Sequence, residues 1–193
     1  MSSKNVVTTD SPRERLLAAA DDLFYGDGIH TVGIDRVIEK AGVAKASLYS
    51  AFGSKDALVR AYLESRQEAR EARVMKKLAT YDTPRARLLG VFDALHDYIS
   101  EPRFRGCAFL RASAEGRTDR GVRGACEDAR AWTRGLFTEL AAAAGARQPK
   151  RLAAELVLLY DGATVAAQMD DDRGAALTAR AVAAALLDAA VAR

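Results

Sequence analysis

Between Lys40 and Lys55 the chain carries three lysines and no carboxylate, and the window is bracketed by Glu39 and Asp56. A nucleic-acid backbone attracts cations and repels carboxylates, so an acid-free basic window suits docking on phosphates. Tyr49, Ser47 and Ser50 add hydroxyl donors of the kind that reach phosphate oxygens. The alternative is an ordinary solvated face. The elements around the window decide between them.

Two short amphipathic pieces span it. Ile34, Val37, Ile38 and Ala41 repeat at i, i+3, i+4, i+7 and stop at Gly42; Leu48 and Phe52 follow, four apart, and stop at Gly53. Two helices of about two turns joined by a tight glycine turn outline a helix-turn-helix. Neither is stable alone at that length. A longer helix must therefore pack across both, and one is signalled just before them. Ser11 and Glu14 fit a capping box, Pro12 occupies a position where its missing N–H is harmless, and Leu16, Ala20, Leu23 and Phe24 share a face.

Ser54 is the expected N-cap of a long helix with Leu58, Val59, Tyr62 and Leu63 on its buried face. From Glu64 to Lys77 that helix becomes highly charged, which predicts a solvated connector between two domains. Further helices are predicted over 84–100, 104–115, 119–144, 149–169 and 174–191. The fold class is all-α, with about nine helices. The expected domains are a tail over 1–11, a helix-turn-helix domain over 12–56 and a second helical domain over 57–193.

The composition agrees. The 193 residues include 40 Ala and only 4 Pro; 49% are hydrophobic and 28% charged. Ala is the strongest helix former. A net charge of +3 is too mild to identify a polyanionic partner by itself. No cationic stretch followed by an apolar one opens the chain, and no uninterrupted apolar run reaches membrane-spanning length. The expectation is a cytoplasmic protein without membrane contact.

Catalytic and metal constellations are weak. His30 and His96 are the only histidines, and Asp93 with His96 makes at most two ligands. The run Asp170–Asp172 lacks calcium-loop spacing, and no nucleophile elbow or glycine-rich phosphate loop occurs. No catalytic residue, metal or cofactor is expected. Cys107 lies among Arg103, Arg105 and Arg111, which leaves a redox-sensing thiol as an alternative, with Cys126 on the next helix. A helical enzyme or ligand carrier without nucleic-acid function is a second alternative.

Residues 12–63 resemble the DNA-binding domain of the TetR/AcrR family of transcriptional regulators. The resemblance rests on Ala41-Gly42-Val43, on a small residue ahead of Leu48-Tyr49, and on Phe52, Ser54-Lys55-Asp56 and Leu58. Arg105-Gly106-Cys107-Ala108-Phe109-Leu110, with Glu115 after it, is similar to a segment common in the family's regulatory domains. The resemblance implies that Lys45, with Ala44 and Ala46, reads base edges. It implies that Tyr49 and Lys55 grip phosphates and that Ser47 touches the backbone, with Ser50 beside them. Gly33 departs from the usual Thr or Ser, and Ala51 from the usual His or aromatic, so polar contacts are fewer.

The second domain is then expected to bind a small-molecule effector and to dimerise. The aromatic candidates for an effector pocket are Phe92, His96, Tyr98, Phe109, Trp132, Phe137 and Tyr160. The last two helices carry broad apolar sectors and are expected to form a homodimer interface through Leu156, Tyr160, Ala179, Val182, Ala183, Leu186, Leu187 and Ala190. The function expected from all this is a homodimeric repressor of a palindromic double-stranded DNA operator, released by a small apolar or aromatic molecule.

Overall fold

A computed structural model describes residues 11–115 and 120–191; residues 1–10 of the expected tail over 1–11 lie outside the described residues. Among the described residues there are nine helices and no strand. They are α1 (Pro12–Asp27), α2 (Ile34–Ala41), α3 (Lys45–Phe52), α4 (Lys55–Leu78), α5 (Pro84–Ile99), α6 (Ala108–Glu115), α7 (Arg120–Ala143), α8 (Pro149–Met169) and α9 (Ala175–Val191).

The local signals act as expected. Ser11 Oγ accepts from the Glu14 N–H at 3.2 Å and Glu14 Oε2 accepts from the Ser11 N–H at 2.7 Å, closing the capping box of α1. Gly42 ends α2 at φ +61°, a left-handed conformation that costs glycine nothing. Ser54 and Thr83 cap α4 and α5 through their hydroxyls. The predicted helix over 104–115 starts late, at Ala108. Gly106 sits at φ +92°, and a Cβ there would lie 2.0 Å from the Gln168 side chain of α8, so the backbone turns sharply against α8 before α6 can begin. Phe104 instead packs on Tyr98 from the loop, edge to face at 5.3 Å.

The side chains form two cores. In the first, α1 packs across α2, α3 and the start of α4, with Leu16, Val37, Leu48, Leu58 and Leu63 fully buried. Ala108, Phe109 and Ala112 of α6 and Val122 and Ala129 of α7 belong to the same core. A cut at residue 56 would therefore separate side chains that touch. The second core joins the end of α4 (Val74, Leu78) to α5, the second half of α7, α8 and α9.

The charged middle of α4 is not a solvated connector. Arg66, Gln67, Arg70 and Arg73 are half-buried between the two cores. Charge alone could not reveal this, because an arginine buries its stem and planar face while its N–H groups find partners.

Helix α8 is long and apolar enough by length and composition to cross a membrane. Its Leu152, Ala153, Leu156, Val157 and Ala163 pack into the second core, as in any core helix of a bundle.

Candidate nucleic-acid interface and interior cavity

Helix α3 is held by one fully buried side chain, Leu48, with Ala51 and Phe52 packed partly against the same core. Ala44, Lys45, Ala46, Tyr49 and Ser50 are exposed and Ser47 is half-exposed. The members of the sequence-derived nucleic-acid set on and just before α3 thus reach the surface, with Tyr49 at 49% exposure. Gly33 caps α2 with backbone only.

Two members behave differently in space than in sequence. Lys45 Nζ pairs with Asp35 of α2 at 3.0 Å, and this hydrogen bond raises the Lys45 pKa above its ordinary value. The window that is acid-free along the chain therefore has a carboxylate folded over it. Lys55 turns inward. Its Nζ donates to the Ile29 carbonyl at 2.8 Å and lies 6.0 Å from the centre of the Phe24 ring, so it ties the start of α4 to the loop after α1.

A cavity of about 280 Å³ lies behind this unit, between the middle of α4 and helices α5 to α8. Of the aromatic candidates, Tyr98, Phe109 and Tyr160 line it. Phe92 and Phe137 do not; both are fully buried one layer deeper, with ring centres 5.6 Å apart, and fill the second core. His96 points elsewhere, its Nδ1 3.1 Å from the Arg173 carbonyl oxygen. Trp132 stands behind the wall, with the Arg70 guanidinium 5.3 Å from its ring centre.

Sequence reasoning missed the arginines of the wall. Arg66, Arg70 and Arg73 line the cavity from α4. The available signal was their i, i+4, i+7 spacing, which sets them on one helix face. Arg66 makes a bidentate pair with Asp21 of α1 at 2.5 and 2.9 Å and stacks 3.7 Å from the Tyr25 ring centre. Burial opposes its charge, but the hydrogen bond and charge of Asp21, with the neighbouring Tyr62 and Tyr98, together outweigh it and raise its pKa.

Both cysteines line the cavity. Burial pushes the Cys126 thiol up to about 11, away from thiolate chemistry. Two of the three arginines that flank Cys107 in sequence are engaged elsewhere: Arg103 with Asp22, and Arg111 with the Tyr25 carbonyl at 2.5 Å. Among the described residues no group of three His, Cys, Asp or Glu side chains is placed to hold a metal ion. Asp93 accepts from the Tyr81 hydroxyl at 2.7 Å and pairs with Arg180 at 2.9 Å.

Besides the Arg66–Asp21 pair, two contacts lead from the cavity wall to the helix-turn-helix. Tyr98 on the wall reaches Tyr25 of α1 through a 3.0 Å contact between hydroxyls. Helix α6, which also lines the cavity, ends at Glu115. The Glu115 carboxylate accepts from the His30 backbone N–H at 2.9 Å, just ahead of α2.

The expected interface residues also divide. Leu156, Ala179, Ala183 and Leu187 face the second core of their own chain and offer nothing to a partner. Tyr160, Leu186 and Ala190 are partly buried against that core. Val182 is 45% exposed; with it stand Leu158 at 71% and Met169 at 78% on α8, neither singled out from the sequence. The apolar sectors of α8 and α9 are broad, and helical periodicity cannot tell which half of a broad sector the chain itself covers.

The comparisons with known proteins cover both units. Residues 16–62 match the sequence model of the bacterial regulatory proteins of the tetR family. The transcriptional activator FasR of Mycolicibacterium smegmatis is 35% identical over 95 residues, 49% of this chain and 43% of FasR. The chain thus spans less than half the length of that curated relative. The similarity to solved structures runs almost end to end. SCO4454, a TetR-family transcriptional regulator from Streptomyces coelicolor, superposes with a TM-score of 0.88 at 34% identity, covering 94% of this chain and 96% of that one. A putative TetR transcriptional regulator from Streptomyces avermitilis gives 0.83 at 34% identity over 95% and 100% of the two chains. With the helix-turn-helix, the helices behind it and the full-length superposition in agreement, this chain belongs to the TetR family of transcriptional regulators.

Proposed function

We propose that the chain acts in the cytoplasm as a homodimeric repressor: α3 docks in the major groove of a near-palindromic operator, and a small molecule in the interior cavity releases it. The observation that carries the DNA half is the outward face of α3, where exposed Lys45, Tyr49 and Ser50 are held on a helix anchored by Leu48. One such helix reads few bases. A two-fold dimer sets two of them in successive major grooves about 34–36 Å apart. A second copy seated on α8 and α9 would cover Leu158, Met169 and Val182, an apolar surface the chain itself leaves in water. The residue-level roles are Lys45, flanked by Ala44 and Ala46, at base edges, and Tyr49, Ser47 and Ser50 at phosphates. Lys55 acts first as the clamp on Ile29.

The release step has a physical route. A ligand shifts an equilibrium only by its differential affinity for the two states. Tyr98, Arg66 and α6 touch the cavity on one side and Tyr25, Asp21 and His30 on the other. A ligand that repositions these groups acts directly on α1 and on the loop before α2.

The test is a salt-dependent mobility shift on the DNA flanking the coding gene. Tyr49→Phe should weaken binding to all sequences alike, whereas Lys45→Ala should also alter sequence preference and flatten the salt slope by about one unit. Equal loss of specific and nonspecific affinity in Lys45→Ala would remove its base-reading role. Absence of any salt-dependent shift would remove the proposal.

The Lys45–Asp35 pair yields a change of opposite sign. Asp35→Asn removes a carboxylate from the docking surface and frees the ammonium, so affinity for any duplex should rise, by roughly two- to fivefold at low salt and less at high salt. A fall in affinity would mean that Asp35 holds Lys45 in its working position.

A further inference from the structure

The cavity wall holds four arginines, Arg66, Arg70, Arg73 and Arg130, against one carboxylate, Asp161. Two of the cations are neutralised: Arg66 by Asp21, and Arg130 by Asp161 at 2.8 Å. Arg70 and Arg73 have no carboxylate partner among the described residues. Arg70 spends one terminal nitrogen on the Gln67 side-chain oxygen at 2.6 Å and the Ala129 carbonyl at 2.8 Å, while its Nε is buried with no partner. Arg73 lies 4.1 Å from the centre of the Tyr98 ring.

Guanidinium does not escape burial by losing its proton. An unpaired N–H on a buried cation is therefore an unmet demand for an acceptor, and a charged acceptor meets it best. No wall group meets it at the Arg70 Nε. The Thr133 and Thr164 hydroxyls donate back to their own helices at 3.0 and 2.9 Å. Leu95, Phe109, Ala129, Val157 and Val165 are apolar. The volume lies at the small end of the roughly 300–1,000 Å³ typical of ligand pockets.

We propose that the effector is a small monocarboxylic acid with an aliphatic or aromatic body, its carboxylate held by Arg70 and Arg73 and its body lying against the apolar wall. This rests on the proposed role of the cavity as the effector site and names the chemistry that the site selects. A cation would meet like charge, and a neutral acceptor would leave the charge of two guanidiniums unbalanced and bind them more weakly.

Trp132 is the only tryptophan and lies beside Arg70, so its fluorescence reports on the site. The probes are straight-chain carboxylates from butanoate to decanoate and phenyl-substituted alkanoates, each compared with the alcohol and the primary amine of the same carbon skeleton. Calorimetry provides the second measurement. At least one acid should bind at micromolar to millimolar concentration, its alcohol about tenfold or more weaker and its amine weaker still. Arg70→Gln and Arg73→Gln should each erase the preference of acid over alcohol. Among the described residues Arg73 makes no hydrogen bond that folding would miss, so that variant serves if Arg70→Gln does not fold. An alcohol or amine that binds as tightly as its acid overturns the proposal; so does failure of every acid to bind, or an undiminished acid preference in Arg73→Gln. A mobility shift on the flanking DNA, run without acid, separates the two ideas. Acid binding with no DNA binding defeats the repressor role alone, and DNA binding with no acid binding defeats the carboxylate site alone.

Discussion

Leu158→Glu should convert the protein to monomers and weaken operator binding by roughly 100-fold or more, as expected when two recognition helices no longer act as one ligand. Leu158 is 71% exposed, so the substitution leaves the second core untouched. In the dimer the same position would lie against another apolar helix, and a buried, unpaired carboxylate is among the most costly single changes available. Analytical ultracentrifugation should show the loss of the dimer while circular dichroism shows the helices retained. Val182→Glu on α9 should act in the same direction, more weakly, because Val182 is already half-covered. Leu186→Glu is the poorer test, since Leu186 packs partly on its own core and a failure to fold would mimic dissociation. A folded Leu158→Glu protein that sediments as a dimer moves the interface off this face.

That preference for Leu158 over Leu186 illustrates what the sequence made legible. Helix ends were readable because their signals are local: Ser11 with Glu14, Gly42 and Ser54 act within one turn of themselves. The exposed face of α3 was readable because one buried leucine on an eight-residue helix leaves little choice. Features that depend on what lies opposite were not. Asp35 is ten residues from Lys45 and on another helix, yet it sits over the basic window. The aromatic residues Phe92 and Phe137 and the cavity residues Tyr98 and Phe109 look alike in sequence, and only packing assigns the first pair to the core. The arginines of α4 looked like solvated charge because composition cannot weigh their aromatic partners, which are Tyr25, Tyr62, Phe109, Trp132 and Tyr98. Gly106 delayed α6 through a close approach to α8, a contact across 62 residues of chain.

The other large effect is expected at Tyr25. Its hydroxyl is buried where α1 meets the loop before α6. It donates to the Gly106 carbonyl at 2.9 Å, accepts from the Arg105 N–H at 2.8 Å and contacts the Tyr98 hydroxyl at 3.0 Å. A phenol has one proton and two lone pairs. With its proton on Gly106, Tyr25 can meet Tyr98 only as acceptor, so Tyr98 is the donor. Burial, and after it the neighbouring Tyr25, raises the Tyr98 pKa, which keeps that proton in place at any physiological pH. The hydroxyl pair therefore joins the cavity wall to α1 through a bond of fixed direction. Tyr25→Phe strips all three contacts at once and leaves the buried Gly106 carbonyl and the Arg105 N–H without their partner, at a cost of about 1–3 kcal/mol. For a chain of this size that corresponds to a fall in Tm of roughly 2–12 °C. Tyr98→Phe removes only the donor and should cost less, about 1 kcal/mol, while breaking the same link between cavity and α1. A double-mutant cycle then isolates the link: the double variant should be more stable than the sum of the single losses implies, because the two hydroxyls share one bond. Strict additivity would show that Tyr25 holds only the loop. In that case α1 would feel the cavity through Arg66 and Asp21, and Arg66→Gln would become the variant that uncouples them.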